Sequence, residues 1–493
     1  MNLPFQPVVL WTDGLLFLLV AVVLGFVRWS RHEEHLRAPW RKVARSRGGM
    51  IAVTVLVLYA GVALLDSLHY RRALPTDKPG AEVTYAPEVL SVLDTFARPL
   101  RDGSERTFSA PFAATAFVKE TITRADGTQV RDFPRLRYGG RLLENPDVER
   151  VPDIARRALG GLAAGVLLWV TLAGLVTGYV AHRSGETFAE VSAAAWRGEH
   201  ALPLRAILLT LGGACAVIVP LLVLSAHYHV LGTDKVGQDV FYLTLKSIRT
   251  GLVIGTITTL VMLPFALALG IMAGYFGGWV DDVIQYLYTT LSSIPGVLLI
   301  AASVLMMQVY MDTHADTFDS ITRRADFRLM FLCVILGVTS WTGLCRLLRG
   351  ETLKLRELDY VQAARAFGVS PWRIMLRHVL PNVLHLVIIT TVLGFSALVL
   401  AEAVLSYVGV GVDPAMNSFG TMINAARLEM AREPIVWWSL FSAFVFMFVL
   451  VLCANLFADA VRDALDPRMR EQVSPAAALR RARALAASTR SVA

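Results

Sequence analysis

Residues 349–382 read RGETLKLRELDYVQAARAFGVSPWRIMLRHVLPN, and apolar runs at 329–348 and 384–404 flank them. Roughly 20 apolar residues suffice to cross a bilayer, so the stretch connects two membrane spans. It carries Arg349, Lys354, Arg356, Arg365, Arg373 and Arg377, the basic excess expected on the cytoplasmic side. Its pattern predicts two short helices with a hinge. Glu351 to Phe367 has no Gly or Pro and is rich in helix formers. Gly368 is a natural stop, because the left-handed position past a helix end suits a residue without Cβ. Ser370 caps a second helix, with Pro371 at its first position. Pro381 marks a break before the next span. Ala363 and Ala364 leave part of the first helix almost without bulk, so another protein's surface can approach closely.

Outward from this loop the chain is mostly apolar. Of 493 residues, 55% are apolar and 17% charged, against about a quarter charged in soluble domains. Candidate spans lie at 8–27, 50–67, 158–180, 205–226, 251–274, 283–309, 329–348, 384–404 and 436–458, about nine in all. The net charge of +8 flanks these runs, which fits cytoplasmic loops and not nucleic-acid binding. The basic cluster Arg28, Arg31, Arg37, Arg41, Lys42, Arg45 and Arg47 follows the first run, so the N-terminus is expected outside and the helix retained rather than cleaved. Alternation then puts 68–157 outside, 349–383 inside and the Arg-rich tail inside. The 275–282 connection fits less well, because it holds Asp281 and Asp282 and no base.

The expected fold is an all-α polytopic membrane protein with a small external domain, α+β or mostly β. Five parts are expected: extra spans and a basic loop over 1–67, the external domain over 68–157, a further span and loop over 158–204, a core over 205–470, and a basic tail over 471–493. Phe117 to Phe133 reads as a β-hairpin turning at Asp126-Gly127. The tail is either a short basic helix near anionic lipid or frayed chain. Cys215, Cys333, Cys345 and Cys453 all lie in apolar stretches and read as small buried residues.

The ordered string Gln362-Ala363-Ala364, Gly368, Ser370-Pro371 and His378-Val379-Leu380-Pro381 resembles the cytoplasmic EAA loop of bacterial ABC importer permeases, most of all the oligopeptide/dipeptide/nickel branch. Gln362 stands where the general motif has Glu. Gly232, Thr233, Asp234, Gly237 and Asp239 resemble that branch's external segment after the first core span, although Gln238 departs from the usual Arg. The resemblance implies a type I permease core in the inner membrane that takes up peptides or peptide-like solutes by alternating access. Its implied partners are a second homologous permease, two ABC ATPase subunits, an extracytoplasmic substrate-binding protein and membrane lipid, with no nucleic acid. No cofactor is expected on this chain; ATP and Mg are expected on the ATPase subunits. The first 200 residues lie outside the common core.

The residues agree on the need for a separate ATPase. No Gly-x-x-x-x-Gly-Lys-[Ser/Thr] string occurs, so the chain is expected not to be an enzyme. His227-Tyr228-His229 lacks a third metal ligand, and Asp234 with Asp239 lacks calcium-loop spacing. Glu402, near the end of an apolar run, is a translocation-path candidate and reads as nearly alone among ionisable groups at membrane depth. That scarcity disfavours the alternative of a secondary active transporter. Permeation of nickel or another non-peptide solute stays open. A membrane enzyme built on 68–157 is disfavoured, because no catalytic cluster can be assembled there.

Overall fold

In lipid every backbone N–H and C=O must find a partner within its own segment, so the apolar runs can only be helices. The computed structural model describes residues 5–30, 34–74, 83–123, 129–198, 202–314, 318 and 320–465. Asp126-Gly127 and the tail beyond Leu465 lie outside the described residues.

Strand β1 (Phe5–Val8) leads into α1 (Trp11–Ser30), α2 (Glu34–Arg45) and α3 (Arg47–Ser67). Strands β2 (His69–Arg72) and β3 (Leu90–Ser91), helices α4 (Val92–Phe96) and α5 (Arg98–Asp102), and the hairpin β4 (Glu120–Thr123) with β5 (Gln129–Asp132) follow. Then come α6 (Pro146–Ser184), α7 (Phe188–Arg197), α8 (Leu204–Ser225), α9 (Val240–Phe276), α10 (Gly278–Ser293) and α11 (Gly296–Thr313). The chain continues through α12 (Ile321–Arg356), α13 (Asp359–Ala366), α14 (Pro371–Ile374), α15 (Leu380–Tyr407), α16 (Phe419–Glu429) and α17 (Trp438–Leu465). Among the described residues eight helices are long and apolar enough to cross a membrane; the apolar part of α1, Trp11–Gly25, is shorter.

Three expectations need correction. The run at 283–309 is not one span but α10 and α11, split at Ile294-Pro295. Proline lacks the N–H that would continue the ladder, and it pushes Ile294 into an extended conformation at ψ 129°. Glu351 to Phe367 is not one helix: its first turns continue α12, and the chain breaks at Glu357-Leu358 before α13. Pro381 does not break the chain either. A π-helical turn over Met375–Val379 runs into α15, and the Leu380 N–H reaches back to the Met375 carbonyl. That wider turn takes up the ring where an unbroken α-helix would clash.

The central pair is α9 against α12. A Cβ on Gly274 would sit 2.5 Å from the Thr352 Cβ and 2.7 Å from the Arg349 carbonyl oxygen. Without a hydrophobic force between helices in lipid, such small residues let backbones approach for dispersion contact. The α6–α8 pair uses the same device: Gly161 meets Pro220 and Gly165 meets the Cys215 carbonyl, each at 2.7 Å from the Cβ position. All four cysteines are free and buried.

Contacts show which ends lie together. β1 pairs antiparallel with β2, and β2 with β3, so residues 5–8 share one end of the bundle with 69–72. At the other end Val43 of α2 packs on Ala460, Val461 and Ala464 of α17. There too Arg349 grips Asp281 with two hydrogen bonds, of 2.5 and 2.6 Å. The acidic 275–282 connection therefore lies beside the basic 349–383 loop, and its lack of bases is no conflict.

Candidate functional site

The hinge in the 349–382 loop follows from backbone geometry. Gly368 has φ +73°, with nothing near its Cβ position. The Val369 N–H donates to the Ala364 carbonyl at 3.1 Å and the Gly368 N–H to the Arg365 carbonyl at 3.0 Å. This pair of bonds seals the carbonyl end of α13. Ser370 stands at the start of α14 with Pro371 next, although its hydroxyl makes no cap bond.

One face of this hinge is anchored. Val361, Ile374, Met375 and Val379 are buried with Trp341, Leu344 and Leu348 of α12. Ala364 packs partly against the same core, so it is not outward as expected. Ala363 and Gln362 are exposed, and the Gln362 amide donates to Glu357 at 3.3 Å. Phe367 is 87% exposed, Leu376 65% and Trp372 59%. Phe367, Trp372 and Leu376 thus leave exposed apolar area in and just after the hinge, with Trp372 edge-on to Phe276 at 6.3 Å. His378 and Leu380 are half-buried, Pro381 is exposed, and Asn382 donates to the Tyr360 hydroxyl at 3.0 Å, tying α15 back to α13.

The second predicted group lies at the sheet end and forms a knot. Asp239 caps α9, accepting from the Phe241 and Tyr242 N–H groups at 2.9 and 3.2 Å. Asp234 accepts from the Val236 and Gln238 N–H groups, which closes a turn and not a calcium loop. Gly232 (φ +70°) and Gly237 (φ +80°) sit hard against the Ser109 and Glu105 carbonyls. The Thr233 hydroxyl donates to the Thr107 carbonyl and its own carbonyl accepts from Trp438 Nε1, both at 2.9 Å. His229 is buried between Asp239 and Glu105. Among the described residues no His, Cys, Asp and Glu group could hold a metal ion. Beside the knot a cavity of about 370 Å³ is lined by Arg98, Arg141, Arg157 and His227 with Asp102 and Asp153.

Glu402 is 1% exposed. It accepts from the Ser406 hydroxyl at 2.7 Å and from the Gly420 backbone N–H. It therefore sits beneath the N-terminus of α16, where a carboxylate complements free N–H groups. Nor is it nearly alone. Arg249 of α9 donates to Asp13 at 2.6 Å and to Thr12 at 2.9 Å, and lies 3.8 Å from Asp326 of α12. His69 meets Asp13 at 2.7 Å, and Lys246 meets Asp66 at 2.6 Å and Asp94 at 3.0 Å. The sequence reading missed this cluster because its charges shorten the apolar windows. The helices begin at Val240 and Ile321, well before the expected spans at 251 and 329.

A multi-pass bundle of long apolar helices with a Gly-hinged loop at one end has the length and composition of an integral membrane protein. Residues 266–471 match the family described as the binding-protein-dependent transport system inner membrane component. The oligopeptide transport system permease protein OppC of Mycobacterium tuberculosis is 36% identical over 244 residues, 49% of this chain and 77% of that protein. The glutathione transport system permease protein GsiD of Pectobacterium atrosepticum is 33% identical over 50% of this chain and 74% of its own. The dipeptide transport system permease protein DppC of Bacillus subtilis is 30% identical over 49% and 69%. The chain belongs to this family of ABC importer permeases, in its oligopeptide and dipeptide branch. About half of it lies outside each of these alignments. A chain of the inward-facing MetNI methionine ABC transporter covers 46% of this one at 16% identity and a TM-score of 0.36, too low to carry weight.

Proposed function

We propose that this permease imports peptides or peptide-like solutes by alternating access, coupled through the Gly368 hinge to ATPase subunits that bind ATP and Mg. The carrying observation is the exposed surface of Ala363, Phe367, Trp372 and Leu376 around a left-handed Gly368 with open space beside it. One face of the hinge is buried against α12, so force applied to the outer face passes directly into the central helix pair. The basic loops support a cytoplasmic hinge end and an external sheet end. A second, similar permease completes the path, and a binding protein delivers solute at the sheet end. There the cavity beside His229 carries charges of both signs, which suits the two termini of a peptide. The relatives named for oligopeptide, dipeptide and glutathione transport support that solute class.

Two variants test the coupling. Gly368→Asp strains the left-handed backbone by roughly 1 kcal/mol or more, and Ala363→Trp adds only bulk. Both should leave membrane insertion intact, abolish co-purification of the ATPase subunits and stop uptake into vesicles. Normal binding and uptake in both would refute the coupling role. The buried Asp13–Arg249–Asp326 cluster favours a second reading, an ion-coupled carrier. Uptake by the purified chain without any ATPase would establish it.

A further inference from the structure

We propose that α2 is a binding surface for anionic phospholipid headgroups, at the end of the bundle that also carries α13. It lies outside the matched family segment, which begins at residue 266.

The first argument is position. α1 ends at Ser30 and α3, a candidate membrane helix, begins at Arg47, so α2 lies between them in sequence. Ser46 alone separates α2 from α3, and its hydroxyl accepts from the Gly49 N–H at 3.2 Å as the cap of α3. Gly49 in turn lies against α17, its Cβ position 2.7 Å from the Ala460 Cβ. Val43 is buried against the last turns of α17. Joined to α3 through Ser46 and packed on the last turns of α17, α2 stays at the ends of two candidate membrane helices, about 18 Å long at 1.5 Å per residue.

The second argument is the face it presents. Pro39 and Val43 are buried and four residues apart, so they share one side of the helix. Arg41 and Arg45 share the opposite side, and Lys42 lies beside them; all three are exposed. Arg28 at the end of α1 and Arg47 at the start of α3 extend the patch. None of these five bases meets an acidic partner among the described residues. The nearest element, α17, adds an exposed Arg462 and two exposed carboxylates, Asp459 and Asp463. Among the described side chains of this patch six bases stand against two acids, which leaves it positive. The 37% exposed Trp40 borders it, and indole rings favour the interface between headgroup and acyl chain.

Charge and placement together select the ligand. Several bases without an acidic partner among the described residues, at the end of candidate membrane helices, attract anionic lipid, and the attraction falls within a Debye length of the surface. A merely topogenic basic loop needs the charges but not their display on one side of a pinned helix.

The test is lipid retention by the full-length protein, read by native mass spectrometry after extraction from vesicles of phosphatidylglycerol and phosphatidylcholine. Wild type should retain phosphatidylglycerol preferentially, and raised sodium chloride should strip it. R41Q/K42Q/R45Q should lose that preference by at least about tenfold, whereas R41K/R45K keeps it. R106Q/R131Q, exposed at the sheet end, should leave the lipid preference unchanged. Equal retention of the two lipids by wild type, or salt-insensitive retention, overturns the proposal even if the triple variant fails to fold. So does full retention by a folded triple variant.

Discussion

His229 Nδ1 lies 2.7 Å from Asp239 Oδ2, while its Nε2 lies 3.4 Å from Glu105 Oε1. One buried imidazole therefore bridges the cap of α9 and the segment after α5, which are over a hundred residues apart in sequence. Glu105 spreads the join further, accepting from the Arg137, Tyr138 and Gly139 N–H groups.

This bridge predicts a pH dependence at the sheet end. Burial opposes charge on His229, but its bonds to Asp239 and Glu105 outweigh that and raise its pKa from 6.5 to about 9. Burial likewise pushes Glu105 up, but His229 and the three backbone N–H groups bring it from 4.5 down to about 2. The raised His229 stabilises the join fully below pH 6.5, and the effect is lost as pH rises through about 9. The depressed Glu105 stabilises it above pH 4.5, and that is lost as pH falls through about 2. Hydrogen exchange at 105–109 and 229–240, corrected for intrinsic rate, should show opening made easier by about 1–3 kcal/mol between pH 6.5 and 9. His229→Gln should flatten the profile. A flat wild-type profile would mean that the imidazole is neutral.

Gly237→Ala should be far more damaging than its size implies. The position needs φ +80°, and a Cβ there would lie 2.0 Å from the Glu105 carbonyl oxygen. Strain and overpacking together should cost about 2–4 kcal/mol. Gly409→Ala, at φ +87° with open space around it, isolates the strain alone and should cost about 1 kcal/mol. Thermal melting of both purified variants separates the two effects, and equal losses would exclude the close contact.

Removing one partner from the buried cluster should cost more than removing two. Arg249→Met leaves Asp13 and Asp326 facing each other without their cation, a loss of about 3–5 kcal/mol. Adding Asp13→Asn should return at least about 1 kcal/mol of that. Unfolding in detergent by denaturant measures both, and strict additivity would show that the pair does not interact.

Glu402 should prove to be an anchor for α16. Glu402→Ala strands the Ser406 hydroxyl and the Gly420 N–H, and should destabilise the fold by about 2–3 kcal/mol. Glu402→Gln keeps an acceptor in place, so uptake should stay within about twofold of wild type. Uptake lost in a fully stable Glu402→Gln protein would instead put the carboxylate on the translocation path.

Much of the hinge was legible in the sequence because its signals are local. A Gly that stops one helix, a Ser-Pro that starts the next, and an apolar run of span length act within a few residues, through sterics and solvation. The π-turn before Pro381 had no such signal. It depends on how Val379 and Val383 seat against the core around α12, which the string alone does not contain.

By itself the sequence determined that the chain is a bundle of membrane helices with basic loops and a Gly-hinged connection. Apolar length and charge placement are properties of single segments, and lipid gives them one solution. Only the tertiary structure decided that Ala363 and not Ala364 faces outward, and that Glu402 sits beneath the N-terminus of α16. It alone joined Asp13, Arg249 and Asp326, across 313 positions of sequence. Each charge there is tolerable only because the others desolvate with it, and that mutual dependence exists in space and not along the chain.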